Sequence, residues 1–206
     1  MLEIRTLVVG PIQNNCYIVS DQNKRAFIVD PGGDVEEIIE ACSGLDVLYI
    51  LNTHGHIDHI GGNKGVKEAF PQGKLVVHKD DEKMLYDPNL NLSRLMGGAV
   101  VSPKADLVVE DNDTLPFGDK EIKIIHVPGH TPGGILIQIE NFIFSGDTVF
   151  AGSIGRTDLP GGDMKTLLNS IKSKFLTLPD SHIVYPGHGE ETTVKEEREN
   201  NPFFQF

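Results

Sequence analysis

Apolar residues along this chain come in short runs whose spacing switches repeatedly between strand-like alternation and helical periodicity. "LEIRTLVV", "CYIVS" and "RAFIVD" read as three short strands separated by turn residues, with "DPGG" closing the third. In "DVEEIIEACSG" the positions Val35, Ile38, Ile39 and Cys42 fall at helical spacing, with Asp34 as N-cap and Gly44 as stop. "LDVLYILN" is nearly continuous apolar sequence, as a buried strand should be. A helix "NKGVKEAF" and a strand "GKLVVH" follow.

Residues 79–105 have weak periodicity; they begin as a helix and become an irregular segment of the kind that lies over a site. Strands resume with "ADLVVE", "EIKIIHV", "GILIQIE" and "NFIFSG". A helix "DMKTLLNSIKSKFLTL", a strand "HIVYP" and a charged helix from about Thr192 complete the chain. No linker or low-complexity run interrupts it, so residues 1–206 are expected to form one domain. Strands with helices distributed between them predict an α/β protein with two sheets or one large mixed sheet. A short echo between "RAFIVDPGGD" and "NFIFSGDTVF" hints at two similar halves.

Charge narrows the possible partners. Eighteen basic against thirty acidic residues give a formal charge of −12, which repels nucleic acid and anionic membranes. Bound divalent cations would offset part of it locally. The two cysteines, Cys16 and Cys42, form neither a disulfide framework nor a CxxC pair, and their apolar settings make them core residues. The start "MLEIRTLVVG" lacks a basic region followed by a long apolar run, and no stretch approaches the ~20 apolar residues of a membrane span. A reduced, cytoplasmic protein is expected.

The candidate chemistry begins in "LNTHGHIDHIGG", which places His54, His56, Asp58 and His59 on the loop after a predicted buried strand. In a regular helix His54 and His56 would lie about 200° apart and could not share one ion. A loop turning at Gly55 can bring them together, and a helix starting near Asp58 would aim that residue and His59 back at the same space. The spacing thus allows two neighbouring metal sites; the bland reading is a polar loop whose histidines satisfy one another. Downstream, His130 in "VPGHTPGG", Asp147 in "IFSGDTVF" and His188 in "YPGHGE" also end strands. His78, His126 and His182 lie in strand patterns without flanking ligands and read as packing or surface residues.

Taken together, "THGHIDH" resembles the H-x-H-x-D-H motif of the metallo-β-lactamase superfamily, and His130, Asp147 and His188 follow in that family's order. "IVDPGGD" resembles its early aspartate motif, so the likeness runs from about residue 5 to 200. It implies a four-layer αββα sandwich with a metal site at one edge between two sheets. It also implies that His54, His56 and His130 hold one metal and Asp58, His59 and His188 a second. Asp147 would bridge both, and Asp30 would brace the metal loops.

Imidazoles and carboxylates without thiolates suit two divalent ions, zinc foremost and iron or manganese next, and argue against a closed structural zinc. Such a pair, about 3.5–4 Å apart, shares a bridging hydroxide at neutral pH, which Asp58 would orient toward an acyl carbonyl.

"AGSIGRTDLPGGD" is similar to the segment after the bridging aspartate in glyoxalase II-type thioesterases (hydroxyacylglutathione hydrolases) and in related persulfide dioxygenases. The ending "YPGHGEETTVKEERENNPFF" resembles the short, single-domain glyoxalase II-like proteins. There Arg156 falls where the family places a basic contact to the substrate carboxylate; its other reading is a loop-shaping pair with Asp158 or Asp163. Eighteen residues follow His188 in this sequence, so the helical domain that adds glutathione contacts in full-length glyoxalase II is expected to be missing, and broad or weak thioesterase activity is expected with it. "DPNLNLSRLMGG" either caps the pocket with Leu92, Leu95 and Met96 or simply packs.

The expected function is hydrolysis of small S-acyl thiol thioesters, S-lactoylglutathione-like, by a binuclear metal-dependent enzyme. The alternative is a mononuclear iron persulfide dioxygenase using His54 or His56 with His130 and Asp147, a two-histidine, one-carboxylate set. The acidic charge counts against a nuclease, the full ligand set against a non-catalytic binding module, and the lack of a signal peptide against an exported β-lactamase.

Overall fold

In the computed structural model, which describes residues 1–205, the chain divides into two compact units, Met1–Val108 and Val109 onward. Each is built on a six-stranded sheet, so the chain has the α/β class expected for it.

The first sheet runs in spatial order β1 (Leu2–Val9), β2 (Asn14–Asp21), β3 (Arg25–Val29), β4 (Asp46–Leu51), β5 (Lys74–His78) and β6 (Leu107–Val109). β1, β2 and β3 pair antiparallel, whereas β3, β4 and β5 are parallel. The parallel crossovers are made by α1 (Val35–Ala41) after β3, and by α2 (Ile57–Ile60) and α3 (Asn63–Ala69) after β4. Interior strands β2 and β3 are buried on both faces, which is why they read as continuous apolar runs. Edge strand β1 exposes Glu3 and Arg5, charges that discourage pairing with another chain.

Ile28, Ile38, Ile50, Val66 and Leu75 form the core of this unit together with both cysteines. Burial pushes the Cys42 thiol up to about 12 and the Cys16 thiol well above its ordinary value, so both act as packing residues.

The expected N-cap of α1, Asp34, stands where the sequence places it, but with φ of 45° its side chain makes no capping bond. Its Oδ2 accepts instead from the Gly10 amide at 2.8 Å, tying the end of β1 to the loop after β3. The helix also ends at Cys42, before Gly44.

The second unit contains β7 (Thr114–Phe117), β8 (Lys120–His126), β9 (Ile135–Ile139), β10 (Phe142–Gly146), the hairpin β11 (Val149–Phe150) and β12 (Ser153–Ile154), β13 (Ile183–Pro186) and β14 (Thr192–Thr193). Its sheet order is β14-β13-β10-β9-β8-β7, with β10 and β13 parallel. β7 escapes the sequence pattern, because Pro116 interrupts it. Proline is tolerated there because β7 is an edge strand.

The predicted long helix is shorter, α4 (Met164–Ser173), capped by Asp163 Oδ1 accepting from Thr166 N at 2.7 Å and followed by a 3-10 turn at Phe175–Thr177. Thr192 joins β14, so the last helix, α5 (Val194–Asn200), starts later than expected, with Thr193 as its cap. Leu167, Ile171 and Phe175 pack with Ile143, Val184 and Val194 in this unit's own core. Among the described residues no helix is long and apolar enough to cross a membrane.

Candidate metal centre

In the first unit, β4 delivers the chain into the loop that carries His54 and His56, and α2 then carries Asp58 and His59. Because β3 and β4 are parallel neighbours, Asp30, just past β3, lies against this loop. Its carboxylate accepts from Thr53 N at 2.7 Å, from Thr53 Oγ1 at 2.6 Å and from His59 Nδ1 at 2.9 Å. With Nδ1 donating, His59 keeps its lone pair on Nε2, 3.5 Å from Asp58 Oδ2.

The same logic fixes His54. Thr53 Oγ1 spends its proton on Asp30 and so accepts from His54 Nδ1 at 3.2 Å, leaving His54 Nε2 as the basic nitrogen. That nitrogen faces His56 Nδ1 at 3.1 Å, with the rings nearly perpendicular. Neighbouring nitrogens on one ion, each about 2.0–2.1 Å from it, are separated by about 2.9–3.4 Å, so the pair has the span of two ligands on a single cation.

Four residues support this loop, and sequence reasoning can rank at most one of them. Gly55 N donates to buried Asp81 Oδ2 at 3.0 Å, and Ile57 N donates to the Asn91 carbonyl at 2.9 Å. Asn52 Nδ2 donates to the His59 carbonyl at 3.2 Å and pairs with Asn63. Thr53 is the fourth. Polar residues scattered over forty positions carry no local spacing signal; only the adjacency of Thr53 to the histidines points at it. Gly55 is needed for space rather than for its backbone angle, since a Cβ there would lie 2.4 Å from Met84 Cβ.

In the second unit, β10 and β13 run parallel and release Asp147 and His188 at the same end, with Gly187 N donating to Gly146 O at 2.8 Å. His188 Nε2 lies 3.8 Å and His130 Nε2 3.6 Å from Asp147 Oδ2. The His130 loop is pinned by α4, through Ser170 Oγ donating to Pro128 O at 2.9 Å and Asp163 N donating to Gly129 O at 2.9 Å. His130 Nδ1 donates to the Arg156 carbonyl at 2.7 Å, so its Nε2 also keeps the lone pair. The structure thus joins His54 with His56 and Asp58 with His59 in one unit, and Asp147 with both His130 and His188 in the other.

Arg156 contributes to this arrangement through its backbone, which no reading of side-chain types could find. Its guanidinium makes a bidentate pair with Asp158, 2.8 Å at both contacts, with the side chains 63% and 69% exposed. Those hydrogen bonds hold the Asp158 carboxyl down to about 2.

The segment after β5 is held together by Asn91, whose Nδ2 donates to Met84 O and Val100 O. Leu92 packs inside, while Leu95 and Met96 stay 75% and 51% exposed. The other histidines have local partners: the Asp80 amide donates to His78 Nδ1, His126 Nε2 meets Pro132 O, and His182 meets Gln138 and Pro179 O, so His78 has the flanking carboxylate that its strand pattern did not show.

Residues 9–188 match the model of the metallo-beta-lactamase superfamily. The chain belongs to that superfamily. Relatives agree over nearly its full length. It is 35% identical to hydroxyacylglutathione hydrolase GloC of Haemophilus influenzae over 212 residues, covering 98% of each chain. Among solved structures, the BLEG-1 B3 metallo-beta-lactamase matches with a TM-score of 0.95 and 40% identity, over 99% of this chain and all of that one (100%). TTHA1623 in a di-iron-bound form matches with a TM-score of 0.84 and 35% identity, over 97% and 99% of the two chains. The metallo-β-lactamase fold is therefore established for this chain, membership of the superfamily supports a metal-dependent hydrolase, and its histidine and aspartate clusters are of the kind that hold divalent ions.

Proposed function

We propose that this chain, acting as one domain over residues 1–206, hydrolyses small S-acyl thiol thioesters of the S-lactoylglutathione kind at a pair of divalent cations. His54, His56 and His130 would hold one cation and Asp58, His59 and His188 the other, with Asp147 shared. The observation that carries this reading is the fixing of His54, His59 and His130 by Thr53, Asp30 and the Arg156 carbonyl, so that each presents Nε2 as a ligand. The donors are nitrogen and oxygen throughout, which fits zinc first and iron or manganese next. When bound, such cations supply a water-derived nucleophile near neutral pH and polarise an acyl carbonyl.

The chain's own residues do the positioning. Asp58 orients the attacking water beside His59. Asp30 and Thr53 keep the first loop from turning its imidazoles away. The Arg156 guanidinium, already in a fork geometry on Asp158, would exchange that partner for the substrate carboxylate. Likeness to a protein named for cleaving hydroxyacylglutathione supports the thioester class. The charge of −12 supports a small molecule over nucleic acid or a membrane as partner.

The test is release of free thiol from a panel of S-acylglutathiones by protein loaded with zinc, iron or manganese. Protein that binds two cations and releases no thiol from any of them overturns the proposal. Two competing substrates belong in the same experiment. A β-lactam is included because of the likeness to BLEG-1, and glutathione persulfide is followed by oxygen uptake on iron-loaded protein. Preferred turnover of either replaces the thioester.

A further inference from the structure

Glu197, on the C-terminal helix α5, is buried to 1% exposure and has no part in the chemistry above. A carboxylate is costly to bury unless donors surround it. Three do. Gly152 N lies 3.2 Å from Oε1 and 3.0 Å from Oε2, Thr192 Oγ1 donates to Oε1 at 2.7 Å, and Asn201 Nδ2 donates to Oε2 at 2.7 Å. Asn201 Nδ2 also reaches Ser153 O at 3.0 Å. Gly152 and Ser153 belong to the β11–β12 hairpin, so the end of the chain grips that hairpin by its tip.

A hairpin with two residue pairs cannot hold itself in one conformation. Yet this one abuts all three candidate ligands of its unit. The Phe150 ring stands edge-on to His188, with centroids 6.2 Å apart. Gly155, immediately after β12, is seated so closely on the Asp147 carbonyl that a Cβ would lie 1.8 Å from that oxygen. One residue further, the Arg156 carbonyl fixes His130.

We propose that Glu197 and Asn201 are positioning residues that lock this hairpin and so set the geometry of His130, Asp147 and His188. The inference rests on the reading of those three as metal ligands.

The test compares wild type, Glu197→Ala, Glu197→Gln and Asn201→Ala loaded with cobalt(II). The readouts are bound metal, its dissociation constant and its visible spectrum, at a temperature where melting of each metal-free protein shows it folded. Glu197→Ala is expected to loosen cobalt about 10- to 100-fold and to alter the spectrum. Glu197→Gln should stay near wild type, because its carbonyl can accept from Gly152 and Asn201 while its amide donates to Thr192. Wild-type affinity and spectrum in Glu197→Ala overturn the proposal, as does a Glu197→Gln variant as impaired as alanine. If Glu197→Ala does not fold, Asn201→Ala decides: it must loosen cobalt too, and a wild-type result sinks the idea. Wild-type protein that binds no cobalt overturns the metal reading and this proposal with it. Wild type that binds cobalt but cleaves no thioester overturns only the substrate assignment, and the variant series decides the role of Glu197 as before.

Discussion

Asp30 Oδ2 accepts a hydrogen bond from His59 Nδ1 at 2.9 Å, with the two residues only 1% and 0% exposed. Because Asp30 N also donates to Leu51 O, the pairing of β3 with β4 sets this contact. Sheet register therefore decides which nitrogen His59 offers.

Replacing Asp30 by asparagine keeps an acceptor for Thr53 N but turns an NH₂ toward Thr53 Oγ1 and His59 Nδ1, both donors. Metal affinity is expected to fall about 10- to 100-fold. Folding of the metal-free protein should lose about 1–3 kcal/mol, the cost of unsatisfied buried donors. Chelator competition and urea unfolding measure the two effects separately. Unchanged affinity would show that Asp30 does not govern the ligand.

Gly55→Ala is expected to destabilise the fold by about 1–3 kcal/mol, as overpacking does. The new Cβ would sit 2.4 Å from Met84 Cβ, so Met84→Ala, which keeps that atom, should give no rescue. A double-mutant cycle in denaturant checks this. Full recovery in the double variant would mean that the loop relaxes away from Met84.

Most of the main elements, and the pairing of candidate ligands within each unit, were legible from the chain. Strand-end histidines and aspartates are a local signal, and buried parallel strands such as β4 announce themselves as apolar runs. What escaped depends on backbone groups or on distant contacts. The Arg156 carbonyl bears no residue identity. Asp81 and Asn91 act on the His54–His59 loop from the irregular segment, where no periodicity ranks one polar residue above another. Asp34 reads as a cap by type, but its left-handed backbone sends the carboxylate to Gly10 instead. The β11–β12 hairpin was too short to leave a pattern.

On the proposed mechanism, Asp58→Ala should abolish thioester hydrolysis and weaken the second cation, because Asp58 would be both a ligand and the group that orients water. His78→Ala should do neither, since His78 bonds locally with Asp80. Metal counting with a thiol-release assay on both variants separates the roles. An active Asp58→Ala enzyme would contradict the two-cation mechanism.

Arg156 and Asp158 give the last prediction, a pH effect with a definite sign. Hydrogen bonds from Arg156 lower the Asp158 carboxyl from 3.8 to about 2. A depressed acid stabilises the fold above its unfolded pKa, so this contribution is complete above 3.8 and is lost as pH falls toward about 2. Carbon NMR should find the Asp158 midpoint near 2 in wild type and back toward 3.8 in Arg156→Ala. At neutral pH Asp158 is charged and competes for the guanidinium. Asp158→Asn should therefore lower KM for carboxylate-bearing thioesters. Arg156→Ala should raise it about tenfold, the low end for charge-assisted hydrogen bonds. Metal binding should survive Arg156→Ala, because His130 is held by the backbone carbonyl that alanine retains. An unchanged KM in Arg156→Ala would assign the side chain to shaping its own loop with Asp158.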